Sequence, residues 1–287
     1  MYDIAIIGAG PAGLSAAINC KIRNKNVVIF GGAIESTDLL KASHMDNYLG
    51  FPDSTGIVLQ EKFLQHVAKF SIEIKKEKIL AIYDYGDQFQ LTTKEGEYIS
   101  RGLIIATGIP KTKTVEGERE LLGKGVGYCA TCDGPLYKGK IVAIVADTEE
   151  GEEECEFLSE LCSKVYYIPK YKQEIEFKSD NIEILYEKVE RVIGEKKVEA
   201  LKLETRTLEL DGVFFLKKNV PPSQLITDLR IENKFIGVDR NMATNIAGIF
   251  AAGDCTGKPF QVAKAVGEGT VAGLSCVSYI DKLKKSN

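Results

Sequence analysis

Histidine is nearly missing from this chain: His44 and His66 are the only two in 287 residues. That scarcity argues against a histidine-built metal centre or acid–base relay, and His66, inside a helical pattern, reads as surface. No apolar run approaches the roughly 18 residues that a membrane span requires. The N-terminus runs from Met1-Tyr2-Asp3 straight into an apolar strand, without a basic n-region or a cleavage pattern. A cytoplasmic protein is expected. Positive charge is not in excess either: the formal net charge is −4, so neither nucleic acid nor a membrane surface is an expected partner. A disulfide framework is absent too, because Cys20, Cys155, Cys162, Cys255 and Cys276 show no framework spacing. They read as reduced, structural thiols.

Against those absences stands Gly127-Tyr128-Cys129-Ala130-Thr131-Cys132-Asp133-Gly134, where two cysteines two residues apart meet a carboxylate. A Cys-x-x-Cys pair closes a small ring as a disulfide and reopens by exchange, one thiolate attacking and the other resolving. The alternative, half a zinc site, needs two further ligands at suitable spacing, and the chain has no second pair. The expected metal content is none. With 44% hydrophobic and 27% charged residues, the composition is that of a soluble globular protein, long enough for two domains.

The chain opens with an apolar strand, Ile4 to Ile7, then Gly8-Ala9-Gly10-Pro11-Ala12-Gly13 and an Ala-rich helix pattern from Leu14 to Cys20. Strand, glycine turn and helix form a dinucleotide site. Gly8 permits the tight turn, Gly10 lets a pyrophosphate approach bare backbone, and Gly13 allows the helix to pack closely on the strand. A second strand, Asn26 to Phe30, follows, but Gly31-Gly32 stands where an acidic ribose ligand is usual. Ser43 to Pro52 reads as a loop, Gly56 to Phe70 as an amphipathic helix, and Ile72 to Leu91 as short strands with a turn at Gly86-Asp87. Leu103 to Gly108 is a buried strand ending in a small-residue turn, and Pro110 to Gly123 reads as a linker.

Beyond the Cys pair, Ile141 to Ala146 forms a strand placed as if a second nucleotide fold were beginning. Where glycines should follow, the sequence reads Asp147-Thr148-Glu149-Glu150-Gly151, with six glutamates in the eight residues Glu149 to Glu156. Side chains stand where phosphate docking uses bare backbone, which argues against a second dinucleotide. A helix capped by Asp147 or Thr148, with Glu150 closing a capping box, explains the same residues. Cys155 and Cys162 would share a packed face of that helix. Val165 to Ile168 is the next strand, Ile182 to Leu210 alternates as an antiparallel meander, and Val220 to Ser223 is a return crossing. A strand closing in Gly253-Asp254, then a helix from Gln261 to Ile280, complete the chain.

Taken together, Gly8-x-Gly10-x-x-Gly13, Asn47 before Gly50-Phe51-Pro52, Ala106-Thr107-Gly108, Cys129-Ala130-Thr131-Cys132-Asp133, and Gly248 to Asp254 with Gln261-Val262-Ala263 resemble the low-molecular-weight thioredoxin reductases over nearly the whole length. The resemblance implies an α/β fold of two Rossmann-like, three-layer ββα domains: a discontinuous FAD domain, 1–112 and 213–287, and an inserted redox domain, 113–212, without an intact NADPH motif. It also implies a homodimer. By position, Gly8, Gly10, Pro11, Ala12 and Gly13 would hold the FAD pyrophosphate, Asp254 the ribitol region, and Gln261, Val262 and Ala263 the flavin ring. Gly31, Gly32, Asn47, Thr107, Gly108 and Gly253 complete the implied cofactor contacts. Cys132 would face the flavin, Cys129 would attack thioredoxin, and Asp133 would serve as acid–base group; a plain turn residue before Gly134-Pro135 is the alternative for Asp133.

The departures point further. NADPH-using members carry glycines after the central strand and a basic cluster after the next, and this chain has Asp147-Thr148-Glu149-Glu150 and Ile168-Pro169-Lys170-Tyr171. These losses resemble the ferredoxin-dependent flavin thioredoxin reductases, so reduced ferredoxin is the expected donor and thioredoxin the expected acceptor. An acidic ferredoxin would want a basic patch, for which Lys111, Lys113, Lys138 and Lys140 are candidates. An NADPH-dependent reductase with an atypical pocket, and a related flavin disulfide reductase with another one-electron donor, are the alternatives. A non-catalytic adaptor is the reading from outside enzymology, and it lacks the ligands a zinc site would need.

Overall fold

Residues Tyr2–Ile7 (β1), Pro11–Ile22 (α1) and Val27–Phe30 (β2) form the expected strand–turn–helix–strand start. Pro11 occupies the first helical position, where its missing N–H is not needed. The computed structural model describes residues 1–31, 38–109, 114–171, 174–217, 225–226 and 228–286. The chain divides into two compact units, Met1–Pro110 with Leu225–Asn287, and Lys111–Gln224.

In the first unit the chain continues through Gly56–Lys69 (α2), Glu73–Lys75 (β3), Ala81–Asp84 (β4), Phe89–Thr92 (β5) and Glu97–Ile105 (β6). Thr55 caps α2 by accepting the Val58 N–H at 3.3 Å. One edge of β6 is shared between two partners. Its first half pairs antiparallel with β5, and its last residues, Leu103 to Ile105, pair parallel with a strand from far down the chain, Ile249–Ala251 (named β17 in chain order). β1 lies parallel between β2 and β6, registering Ile4 against Val27 and Gly102. The final helix, Val262–Ser286 (α5), returns to α1. Small residues set how near these helices come: a Cβ at Gly269 would stand 2.2 Å from the Ala12 carbonyl oxygen. Cys20 and Cys276 are buried in the core that α1, α5 and the sheet enclose.

The second unit is built on five strands in the order β10-β9-β8-β14-β7. In chain order these are Val126–Gly127 (β7), Ile141–Ala146 (β8), Lys164–Pro169 (β9), Ile182–Ile184 (β10) and Gly212–Leu216 (β14). Neighbours are all parallel. The short helix Ala130–Asp133 (α3) follows β7, and Gly151–Leu161 (α4) joins β8 to β9. Strands Val189–Ile193 (β11), Ala200–Leu203 (β12) and Thr207–Glu209 (β13) form a separate antiparallel sheet. Ile231–Glu232 (β15) and Phe235–Ile236 (β16) make a small hairpin in the first unit. Both units therefore carry parallel strands joined by crossover helices, the α/β architecture expected, with β4 and β5 added antiparallel in the first.

Four readings are corrected. The expected meander over Ile182 to Leu210 begins too early, because Ile182–Ile184 pairs parallel with β9 and belongs to the main sheet. The return to the first unit, expected at 213, falls inside β14, whose register of Val213 with Ala143 and Val126 keeps it in the second unit. Residues 114–123 are not a loose linker: Glu118 is fully buried, and Glu116 bridges to Arg191. The expected capping box of α4 does not form, since its N-cap is Glu150, in helical conformation and without a side-chain cap. The return crossing read at Val220 to Ser223 lies outside the described residues.

Candidate functional site

The two centres lie in different units. In the first, the turn after β1 is forced to be bare. Gly8 has φ +118°, and a Cβ there would stand 2.2 Å from the Ala106 carbonyl oxygen. At Gly13 a Cβ would stand 1.9 Å from the Gly8 oxygen, so both positions admit only glycine. At Gly10 a Cβ would meet nothing within 4 Å: the chain presents backbone to open space there. Gly10 is also the N-cap of α1, with no side-chain cap and no acidic residue in the first turn. The first-turn N–H groups of Ala12 and Gly13 have no carbonyl within the helix to bond, and the positive end of the helix dipole lies with them. These features make a seat for a pyrophosphate.

A second observation fits a ligand here. The Thr107 hydroxyl is buried without a hydrogen-bond partner, and Gly108, next to it, has φ +68° with open space at its Cβ position. The cradle is closed by distant residues: Asn47 Nδ2 donates to Gln261 Oε1 at 2.7 Å, joining the 43–52 loop to the start of α5. Gly253 has φ +88° and leads into Asp254. Gly31 is buried, with room for no side chain beside Ala9. Gly32 lies outside the described residues. One support escaped the sequence reading. Lys264 donates to the Gly253 carbonyl at 2.9 Å and to Glu268, while Glu268 accepts the Gly253 N–H at 2.9 Å. A Lys–Glu pair at i, i+4 on the helix after Gly253-Asp254 is the signal that could have pointed to it.

In the second unit Cys129 and Cys132 form a disulfide across α3, with Cα atoms 5.3 Å apart. Cys129 is the N-cap: its Sγ accepts the Cys132 N–H at 3.2 Å and lies 3.3 Å from Thr131 Oγ1. The two sulfur-bearing residues differ in exposure, Cys129 being 5% exposed and Cys132 open to solvent. From α4, Glu154 Oε2 takes the Ala130 N–H at 2.9 Å. Burial raises the Asp133 carboxyl above the ordinary range, and bare Gly127 makes space for it, since a Cβ there would be 3.0 Å from Oδ2. The other cysteines are buried and inert, with burial pushing Cys20 and Cys255 up to about 12 and Cys162 up to about 11.

Beneath this turn lies a buried ion pair. Glu118 and Lys217 meet with side chains 0% and 1% exposed, and Tyr128 donates to Glu118 Oε1 at 2.7 Å. Burial lowers the Lys217 ammonium pKa, and Glu118 opposes that shift. No pattern in the sequence links residues so far apart. Lys217 follows the C-terminal end of β14, in the zone where parallel α/β sheets bind ligands. Among the described residues, the side chains in that zone are paired with one another. Lys170 pairs with Asp147 at 3.4 Å, and Tyr167 contacts Tyr171 at 2.7 Å, which donates to Glu152 at 2.7 Å. The backbone donors are used as well: Gly151 N–H bonds to Thr148 O at 3.2 Å, and Glu152 N–H to Glu149 O at 2.9 Å.

Elsewhere, His44, Asp46 and Asp53 place one ligand atom each within 4.8 Å of one another, all on exposed side chains, with His44 Nε2 2.7 Å from Asp46. Of the candidate basic patch, Lys138 and Lys140 are exposed, whereas Lys111 and Lys113 lie outside the described residues. Among the described residues no helix is long and apolar enough to cross a membrane.

Residues 2–269 match the family model described as pyridine nucleotide-disulphide oxidoreductase. Thioredoxin reductases of Listeria innocua and Treponema pallidum are 32% and 35% identical, the alignments covering 100% and 99% of this chain and 96% and 98% of theirs. A solved structure of a ferredoxin-flavin thioredoxin reductase from Clostridium acetobutylicum is 50% identical with a TM-score of 0.81, over 99% of this chain and 98% of that one.

Proposed function

The chain belongs to the pyridine nucleotide-disulphide oxidoreductase family and is an FAD-binding disulfide oxidoreductase, and from that premise we propose that it reduces thioredoxin with electrons from reduced ferredoxin. The observation that carries the choice of donor is the filled crevice of the second unit. A nicotinamide dinucleotide needs free backbone donors and an open strand end. Here Glu152, Tyr171, Asp147, Lys170 and Lys217 occupy that space, and the turn bonds to itself. The 50% identical neighbour, itself a ferredoxin-flavin thioredoxin reductase, supports the same donor.

FAD, seated on Gly8 to Gly13, Gly31, Asn47, Thr107, Gly108, Gly253, Asp254 and Gln261 to Ala263, supplies a carrier that accepts electrons singly and gives them up as a pair. The protein's own part is dithiol chemistry. In this reading Cys132 is the sulfur that receives the electrons from the cofactor, and Cys129 leaves as the thiolate that attacks the thioredoxin disulfide. Because Cys129 is 5% exposed, the redox turn has to open before a protein substrate reaches it. Asp133, its carboxyl raised by burial, is the group that exchanges a proton with the pair in this reading. Lys138 and Lys140, exposed beside the turn, form the described part of a basic docking patch. The protein acts as a homodimer in this reading, which sedimentation would test.

Anaerobic mixing decides the donor. NADPH and NADH should leave the flavin absorbance unchanged on the turnover timescale, and reduced ferredoxin should bleach it in a reaction that slows with added salt. Rapid bleaching by NADPH would overturn the proposal. Cys132→Ser should retain fold and FAD while thioredoxin reduction disappears; surviving reduction would remove Cys132 from the mechanism.

A further inference from the structure

We propose that Thr131 is a catalytic residue of the redox turn: its hydroxyl donates a hydrogen bond to the Cys129 sulfur and helps to hold that buried sulfur as a thiolate when the disulfide opens. The inference rests on Cys129–Cys132 being the working disulfide. The direction of the bond follows from chemistry. A disulfide sulfur has no proton, so in the 3.3 Å contact the Thr131 hydroxyl is the donor. The Cys132 N–H supplies a second donor to the same atom at 3.2 Å. No hydrogen bond to the Cys132 sulfur is found among the described residues.

Such donors are needed at this position. Two electrons entering the disulfide break the S–S bond and leave one negative charge on each sulfur; each then takes a proton unless its site favours the anion. An exposed Cys132 is stabilised by water. Cys129 is buried, and burial alone disfavours a thiolate, as it does at Cys20 and Cys255. The charged groups around it do not help. Asp133 lies on its own helix, Glu154 reaches in from α4 to the adjacent Ala130 N–H, and the Glu118–Lys217 pair, joined through Tyr128, is internally compensated. None of these groups brings a hydrogen bond or an uncompensated positive charge to the Cys129 sulfur, so the hydroxyl and the amide carry its stabilisation.

The test uses the whole FAD-loaded protein with its disulfide reduced by dithiothreitol. The rate of Cys129 alkylation by iodoacetamide is followed against pH with peptide mass mapping, and the dithiol–disulfide equilibrium is measured in dithiothreitol buffers. Thr131→Val should move the Cys129 profile up by about one pH unit, with alkylation about tenfold slower below the wild-type pKa. The equilibrium should shift severalfold toward the disulfide, on the order of the same tenfold factor at most. Thr131→Ser, which keeps the hydroxyl, should stay within about twofold of wild type. A Thr131→Val profile that overlays the wild type, or a Thr131→Ser profile shifted as far as that of Thr131→Val, overturns the proposal. Neither readout involves ferredoxin or thioredoxin, so a wrong donor would leave these results intact.

Discussion

The turn after β1 and the turn after β8 occupy the same place in two similar sheets and have opposite contents. After β1, steric exclusion at Gly8 and Gly13 and open space at Gly10 leave the backbone free for a ligand. After β8, one glycine survives: Gly151 packs against Ala146, where a Cβ would stand 2.6 Å from the alanine Cβ. The surrounding donors and acceptors are matched to one another by Asp147, Lys170, Tyr171 and Glu152. The difference teaches that topology places a crevice, whereas occupancy is decided by whether side chains or bare backbone face it.

Substitutions can break this contrast, and the largest effect is expected in the first turn. Gly13→Ala puts a methyl group 1.9 Å from a carbonyl oxygen of the opposing backbone, which no side-chain rotation can relieve. The purified protein should lose its FAD, read as the ratio of flavin to protein absorbance. Gly151→Ala, the matching change in the second turn, should destabilise the fold and leave that ratio unchanged. Next in size is Lys217→Met, which strands Glu118 in a fully buried site and should lower stability by about 3–5 kcal/mol in denaturant unfolding. Adding Glu118→Leu should restore much of that loss, because a buried pair replaced whole by apolar groups is often near neutral.

Smaller effects sharpen the comparison. Lys170 is partly exposed, so Lys170→Ala should change stability by less than about 1 kcal/mol. If it instead opened a measurable NADPH site, the ion pair itself would be the barrier. Asp133 gives a pH signature. Its carboxyl is raised in the folded protein above the ordinary value of 3.8. The folded state therefore holds that proton more tightly than the unfolded chain, and the associated stability, present at acid pH, is lost as pH rises through the raised value. Asp133→Asn should remove this slope, so its melting temperature should gain on the wild type as pH rises above about 4.

Much of this was legible in residues that act locally. The glycine turn, the Cys-x-x-Cys pair and the glutamate run announce themselves because each works through its own backbone or its nearest neighbours. The errors share the opposite cause. The capping box of Asp147 or Thr148 with Glu150 did not form: the Thr148 and Glu149 carbonyls take the Gly151 and Glu152 N–H groups, and the N-cap falls on Glu150 itself. Ile182 to Ile184 is too short for alternation to separate a meander strand from a parallel one, and its pairing with Val165 to Tyr167 is tertiary. The boundary at 213 had a readable signal: Val213-Phe214-Phe215-Leu216 is a continuous apolar run, the mark of an interior parallel strand, and the strand is buried at every position. Glu118 and Lys217, each an ordinary charged residue in sequence, become a buried pair only when β14 reaches the turn.

The divided use of β6 has a consequence for synthesis on the ribosome. Ile249 must find Leu103, and between them the chain makes the whole second unit. That unit can fold as it emerges, since its strands all lie within 111–224. The first unit starts earliest and finishes last. Until β17 and α5 arrive, β6 presents an unpaired parallel edge, and the helix face on which α5 packs is uncovered, a vulnerable interval for the nascent protein that ends only with its last helix.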